Sequence, residues 1–113
     1  MTRWGFDLDG TLDHPEIREL ANFLYDHGQE VHILTGFVPE GGYTEQMKLD
    51  KLKRLGIRCT QVHLCEGENM EEIGYTKAQT LNRLGIAFMV DDDPTFVKQM
   101  VHYSSSRILL IVR

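Results

Sequence analysis

Asp7 and Asp9 stand two residues apart in the run Asp7-Leu8-Asp9-Gly10-Thr11-Leu12, and Asp91, Asp92 and Asp93 follow one another near the other end of the chain. Carboxylates at that density repel one another unless a cation or a set of hydrogen bonds offsets their charge. A bound divalent metal ion is therefore the first expectation. Oxygen-only ligands favour Mg2+, which readily bridges protein carboxylates and phosphate oxygens. A carboxylate can attack phosphorus only when the negative charge on the phosphoryl oxygens is neutralised, so acids, a metal ion, a hydroxyl and a lysine together suit phosphoryl transfer. Thr35 and Lys77 would supply the hydroxyl and the ammonium, provided the fold brings them to the acids.

Whether it does depends on the elements between them. Residues 3–8 read as a short buried strand ending near Asp7. After the turn at Gly10 and Thr11, Ile17, Leu20, Ala21 and Leu24 recur at helical spacing, with Pro15 in the first turn and Gly28 as the stop. Residues 30–35 form a second strand closed by Gly36, and 37–43, with Pro39, Gly41 and Gly42, form a loop. A helix over about 44–55 should turn Met47, Leu52 and Leu55 inward. Residues 60–65 alternate as a third strand, and the acidic stretch 66–72 reads as a solvated loop. Thr76, with Gln79 as its capping-box partner, is expected to open the next helix, which puts Lys77 in its first turn and stops at Gly85. The apolar run 86–90 is a strand buried on both faces. Asp93-Pro94 caps a helix bearing Phe96, Val97, Met100 and Val101 inward, and 107–112 close the chain as a fifth strand.

Strict alternation of five strands and four helices predicts an α/β domain: a three-layer, Rossmann-like parallel sheet with helices on both faces. Ligands in such a fold sit outside the carboxyl ends of the strands. Asp7, Thr35 and Asp91-Asp92 all fall there.

The composition bounds the rest. At 113 residues, 42% hydrophobic and 26% charged, the chain has the content of one folded domain over 1–113. The net charge of −5 argues against a general nucleic-acid coat. No apolar run is long enough for a membrane span, no signal peptide precedes the first strand, and Cys59 and Cys65 are too few for a disulfide framework. A cytoplasmic setting is expected.

The segment Asp7-Leu8-Asp9-Gly10-Thr11-Leu12 resembles the first motif of haloacid dehalogenase-like phosphohydrolases. Thr35 after an apolar strand is similar to their second motif, Lys77 to the third, and Asp91-Asp92 to the fourth. The resemblance implies a Mg2+-dependent phosphatase acting on a phosphomonoester. Asp7 would be the nucleophile, forming an aspartyl-phosphate, and Asp9 would protonate the leaving oxygen and then activate water. Thr35 and Lys77 would meet the phosphoryl oxygens, with Gly10, Thr11 and Gly36 lining the substrate. The metal would take Asp7, the Asp9 backbone carbonyl and Asp92, with Asp91 supporting or sharing the role. Asp93 is left out, since capping a helix is enough to account for it.

Larger members of that family insert a cap domain after the first motif or after the third strand, and neither place has room for one. The site is therefore expected to be open, covered by a second subunit or by a large substrate, with the loop 37–43 as the local specificity element. Phe37 stands where relatives that dephosphorylate polynucleotide ends carry arginine, which argues against that role. Three further readings compete. A catalytically idle phospho-ligand or partner-binding scaffold would keep the same fold. A receiver-like signalling module has its lysine last, whereas Lys77 precedes the second acidic group. A dehalogenase would dispense with Asp9. His63 and Cys65 read as sheet packing, His14 as a loop histidine, and Lys48, Lys51, Lys53, Arg54 and Arg58 mainly as a solvated charged face.

Overall fold

The computed structural model describes residues 1–112. Strands and helices alternate along the chain as β1 (Arg3–Phe6), α1 (Pro15–Asp26), β2 (Glu30–Phe37), α2 (Glu45–Arg54), β3 (Gln61–Glu66), α3 (Met70–Leu84), β4 (Phe88–Asp91), α4 (Pro94–Tyr103) and β5 (Arg107–Leu110). A single wound turn, Leu8–Leu12, joins β1 to the approach of α1. All strand pairings are parallel, in the order β3-β2-β1-β4-β5. The three-layer α/β architecture expected from the alternation is the one observed.

Two apolar layers hold the sheet. Ala21 of α1 and Leu52 of α2 pack with Phe6, Val31, Ile33 and Val90 on one face. Ile73, Ala78 and Leu81 of α3 with Phe96 and Met100 of α4 pack on Leu34, Cys65 and Met89 on the other. Phe6, Ile33, Leu34 and Leu81 are fully buried, each worth roughly 1.5–3 kcal/mol of transfer free energy. The chain moves outward from β1 through β2 to β3, then α3 carries it back across the sheet to β4 on the other side of β1. Parallel connections are right-handed, so this reversal moves the later helices to the opposite face. It also opens a crevice between the carboxyl ends of β1 and β4.

Several boundaries and facings differ from expectation. The helix carrying Lys77 starts at Met70, not at Thr76: the Asn69 side chain accepts from Glu72 N at 2.9 Å, and Glu72 Oε2 accepts from Glu68 N. Asn69-Met70-Glu71-Glu72 has the spacing of a capping box, with Glu72 reaching back one residue past the cap to Glu68 N, and its acids suit a helix N-terminus. Thr76 lies inside the helix and its hydroxyl donates to Glu66 O. Met47 is 50% exposed and Val101 61%, and Leu20 faces outward too. On α2 the inward stripe is Lys48, Leu52 and Leu55, at i, i+4 and i+7, which leaves Met47 to one side. The last strand ends at Leu110, short of Val112.

Candidate active site

β1 and β4 pair in register, Phe6 opposite Val90, so the residues just beyond them emerge side by side. Asp7 N donates to Val90 O at 2.9 Å, which ties the two strand ends together where the side chains turn into the crevice. Carboxylate oxygens of Asp7, Asp91 and Asp92 all lie within 4.8 Å of one another. The chain can leave the site sharply because Gly10 adopts φ 83°, a left-handed conformation that side chains other than glycine rarely hold.

Lys77 enters this acidic cluster from α3. It sits at i+4 from Ile73 and i−4 from Leu81, on the stripe that faces the sheet, which explains its complete burial. Its Nζ donates to Asp7 Oδ1 and to Asp91 Oδ2, both at 2.8 Å, and lies 4.2 Å from the centroid of the Phe96 ring. Thr11, also fully buried, donates to Asp92 Oδ1 at 3.2 Å. Asp93 takes the cap of α4, accepting from Thr95 N and Phe96 N, as its sequence context implied.

Burial drives the Asp7 carboxyl up to about 7; Lys77 opposes this, and the charges of Asp91 and Asp92 add to it. Asp91 is raised for the same first reason, with Lys77 again opposing. Burial would lower Lys77, but the two carboxylates outweigh it and hold the ammonium above its ordinary range. Three carboxylates thus gather where one ammonium, on Asp7 and Asp91, is buried, with Asp92 at the cleft side of the cluster. An all-oxygen donor set with surplus negative charge fits a hard divalent cation, which would reverse the upward shift at Asp7. The Asp9 carboxylate stands outside this donor group, leaving only its backbone carbonyl as a candidate ligand.

The other half of the site comes from β2, the loop after it and α2. Thr35 ends the buried part of β2, and its hydroxyl accepts from Lys48 Nζ at 2.8 Å. Lys48 Nζ also donates to Asp9 Oδ2 at 3.0 Å, while Lys51 Nζ and the Tyr43 hydroxyl reach Asp9 Oδ1 at 2.7 and 3.1 Å. Partial burial works to raise the Asp9 carboxyl, but the ammonium groups of Lys51 and Lys48 prevail and hold it below the usual carboxylate range. Lys51 bridges on to Asp13. Lys48 and Lys51 were expected on a solvated face; instead they are buried and half-buried. The sign was available in the sequence, since Lys48 shares the inward stripe with Leu52 and Leu55.

A cleft of about 390 Å³ opens over these groups. Asp7, Asp9, Thr35, Lys48 and Asp92 contribute its polar wall, and Phe37, Val38, Tyr43, Met70 and Phe96 much of its apolar one. Gly36 lines it as well, and a Cβ there would come within 2.9 Å of Ile73 Cγ2, so α3 lies hard against β2 at this point. Of the residues singled out from the sequence, Asp7, Asp9, Thr35, Gly36 and Asp92 face the cleft. Thr11, Lys77 and Asp91 lie fully buried beneath it. Gly10 shapes the turn, its N–H donating to Asp13 Oδ2.

No family model and no curated protein matches this sequence. Solved structures do match its fold. A D,D-heptose 1.7-bisphosphate phosphatase from B. bronchiseptica, complexed with magnesium and phosphate, superposes with a TM-score of 0.69 at 15% identity, over 97% of this chain and 80% of that one. A chain of the Pnkp1/Rnl/Hen1 RNA repair complex gives 0.73 at 14% identity, over 98% of this chain and 42% of that one. A universal stress protein in complex with cAMP gives 0.64 at 10% identity, over 97% and 95%. At these identities the likeness is one of fold.

Proposed function

We propose that this chain is a Mg2+-dependent phosphatase that hydrolyses a phosphomonoester through an aspartyl-phosphate on Asp7. The observation that carries the reading is the meeting of Asp7, Asp91 and Asp92, from the ends of neighbouring strands, around Lys77 at the floor of a cleft. The magnesium and phosphate bound by the similarly folded heptose bisphosphatase agree with it.

In the first half-reaction an Asp7 oxygen bonds to phosphorus as the ester P–O bond breaks, and Asp9 gives its proton to the leaving oxygen. In the second, Asp9 takes a proton from water, whose oxygen attacks phosphorus and frees Asp7 with release of inorganic phosphate. The two lysines on Asp9 favour its carboxylate, the form the second half-reaction needs. The first half-reaction needs it protonated, so substrate entry has to loosen at least one of those contacts. Thr35 hydrogen-bonds a phosphoryl oxygen, Lys77 offsets the charge gathered around Asp7, and Thr11 orients Asp92. Asp7, Asp92 and the Asp9 carbonyl would hold the metal, with Asp91 supporting from below. When bound, Mg2+ supplies positive charge against the phosphoryl oxygens.

The test is phosphate release from nucleotides, sugar phosphates, phosphoproteins and polynucleotide ends, with and without Mg2+. Turnover that requires the metal and disappears in Asp7→Asn is the expected result. An Asp7→Asn protein as active as the parent overturns the nucleophile. No turnover on any class, with phosphate still bound, favours the catalytically idle scaffold.

A further inference from the structure

Two lysines reach the site, and they are placed for different work. Lys77 is fully buried, spends its donors on Asp7 and Asp91 beneath the floor, and is not part of the cleft wall. Lys48 is part of that wall. Its stem is drawn inward along the Leu52 side of α2, and its Nζ joins Thr35 to Asp9 with the Tyr43 ring centroid 4.4 Å away. An aliphatic stem in the core with an ammonium at a cleft surface is how a lysine presents a fixed charge to a ligand. Asp9 is half-exposed, so the anion that now occupies Lys48 belongs to the cleft itself and can give way to another.

We propose that Lys48, together with Thr35, binds the phosphoryl oxygens of the substrate, and that Lys77 is a positioning residue for Asp7 and Asp91. The inference rests on the phosphatase reading and names the cation that reading requires at the substrate. A phosphomonoester near neutral pH carries nearly two negative charges, more than the Asp9 carboxylate that holds Lys48 now. The Lys48 ammonium therefore swings from Asp9 to the phosphoryl group while keeping its Thr35 contact. This frees Asp9 Oδ2, while Lys51 and Tyr43 stay on Oδ1, so that the freed oxygen can take a proton from solvent and face the leaving oxygen. Ligand binding and the readying of the acid become one movement.

The experiment is a titration with inorganic phosphate in the presence of Mg2+, reading the side-chain NMR signals of the lysines in the wild-type protein. The Lys48 Cε and Nζ resonances should shift with saturation while those of Lys77 stay in place. Movement of Lys77 without Lys48, or of neither, overturns the proposal. Lys48→Gln should weaken phosphate binding and lower kcat/KM by roughly tenfold to a hundredfold, the usual effect of losing a hydrogen bond to a charged group. Lys53→Gln removes the same charge from an exposed position on the same helix and should change both by less than about twofold. Equal effects of the two variants reduce Lys48 to a contributor of net charge and sink the assignment. If phosphate shifts Lys48 but no phosphomonoester is turned over, the phosphatase reading fails and the binding role stands. If turnover is robust and Lys48→Gln matches wild type, the binding role alone fails.

Discussion

Lys77 donates to Asp7 at 2.8 Å across seventy residues of sequence, and the contact is sealed from solvent. Removing the ammonium would leave Asp7 and Asp91 without their buried counter-charge, with Asp92 close by. Breaking a buried pair from one side typically costs ~3–5 kcal/mol. Lys77→Met, close in shape, is therefore expected to lower Tm by well over ~10 °C in metal-free buffer. Added Mg2+ should restore part of the loss, because the ion supplies positive charge at the same place. Calorimetry with and without Mg2+ checks both statements.

Asp7→Asn should behave in the opposite sense. The folded-state value of about 7 lies above the ordinary 3.8, so the stability this group lends is complete below the lower value and is lost as pH rises through the higher. At pH 8 the ionised side chain strains the site, and an amide relieves it. Metal-free Asp7→Asn is expected to melt at or above the wild-type temperature at pH 8, by up to about 1 kcal/mol of added stability, while losing turnover. A drop as large as that of Lys77→Met would contradict this account of the cluster.

Asp92 lines the cleft, whereas Asp91 lies beneath it under Lys77 and accepts from Asp93 N. Mg2+ at a hundredfold excess over its Kd should stabilise the wild type by ~2.7 kcal/mol through mass action. In Asp92→Asn that increment should disappear while the metal-free Tm stays close to wild type. Urea unfolding at fixed Mg2+ concentrations gives the comparison, and an undiminished increment would remove Asp92 from the ligand set.

A separate dependence on pH comes from the far end of the sheet. His32 Nδ1 and His63 Nε2 lie 3.0 Å apart, and His32 Nε2 lies 2.9 Å from Glu30 Oε1. Burial, then His32 and Arg83, depress His63 below its ordinary 6.5. The unfolded chain therefore takes up the proton first. Stability falls as pH drops through about 6.5, and the loss levels off once the folded imidazole is also protonated. Between pH 7 and 5 the wild-type Tm should decline relative to that of His63→Gln; parallel curves would show that His63 takes up its proton alike in the folded and unfolded chain.

The sheet, its order of elements and the convergence of Asp7, Thr35 and Asp91-Asp92 were legible because each rests on periodicity and on where strands end. What escaped was side-chain direction on helices. Thr76 offered a capping box, yet Asn69 offers one seven residues earlier, with acids that suit a helix N-terminus, and cooperative extension favours the longer helix. Lys48 was hidden for a related reason. Charge on a polar helix reads as solvent-facing until its register with Leu52 and Leu55 is counted. The grip of Lys48, Lys51 and Tyr43 on Asp9 joins the turn after β1, a loop and a helix, and no local pattern announces such a meeting.

The acids stand at the ends of two strands locked in register, whereas Phe37, Val38, Gly41, Gly42 and Tyr43, which line the same cleft, belong to the end of β2 and the loop that follows. The proposed reacting groups and the loop expected to select the substrate thus belong to separate elements. Variation along that loop can retune which molecules are admitted while the reacting groups keep their places, so a family of descendants could diverge in diet without relearning the reaction.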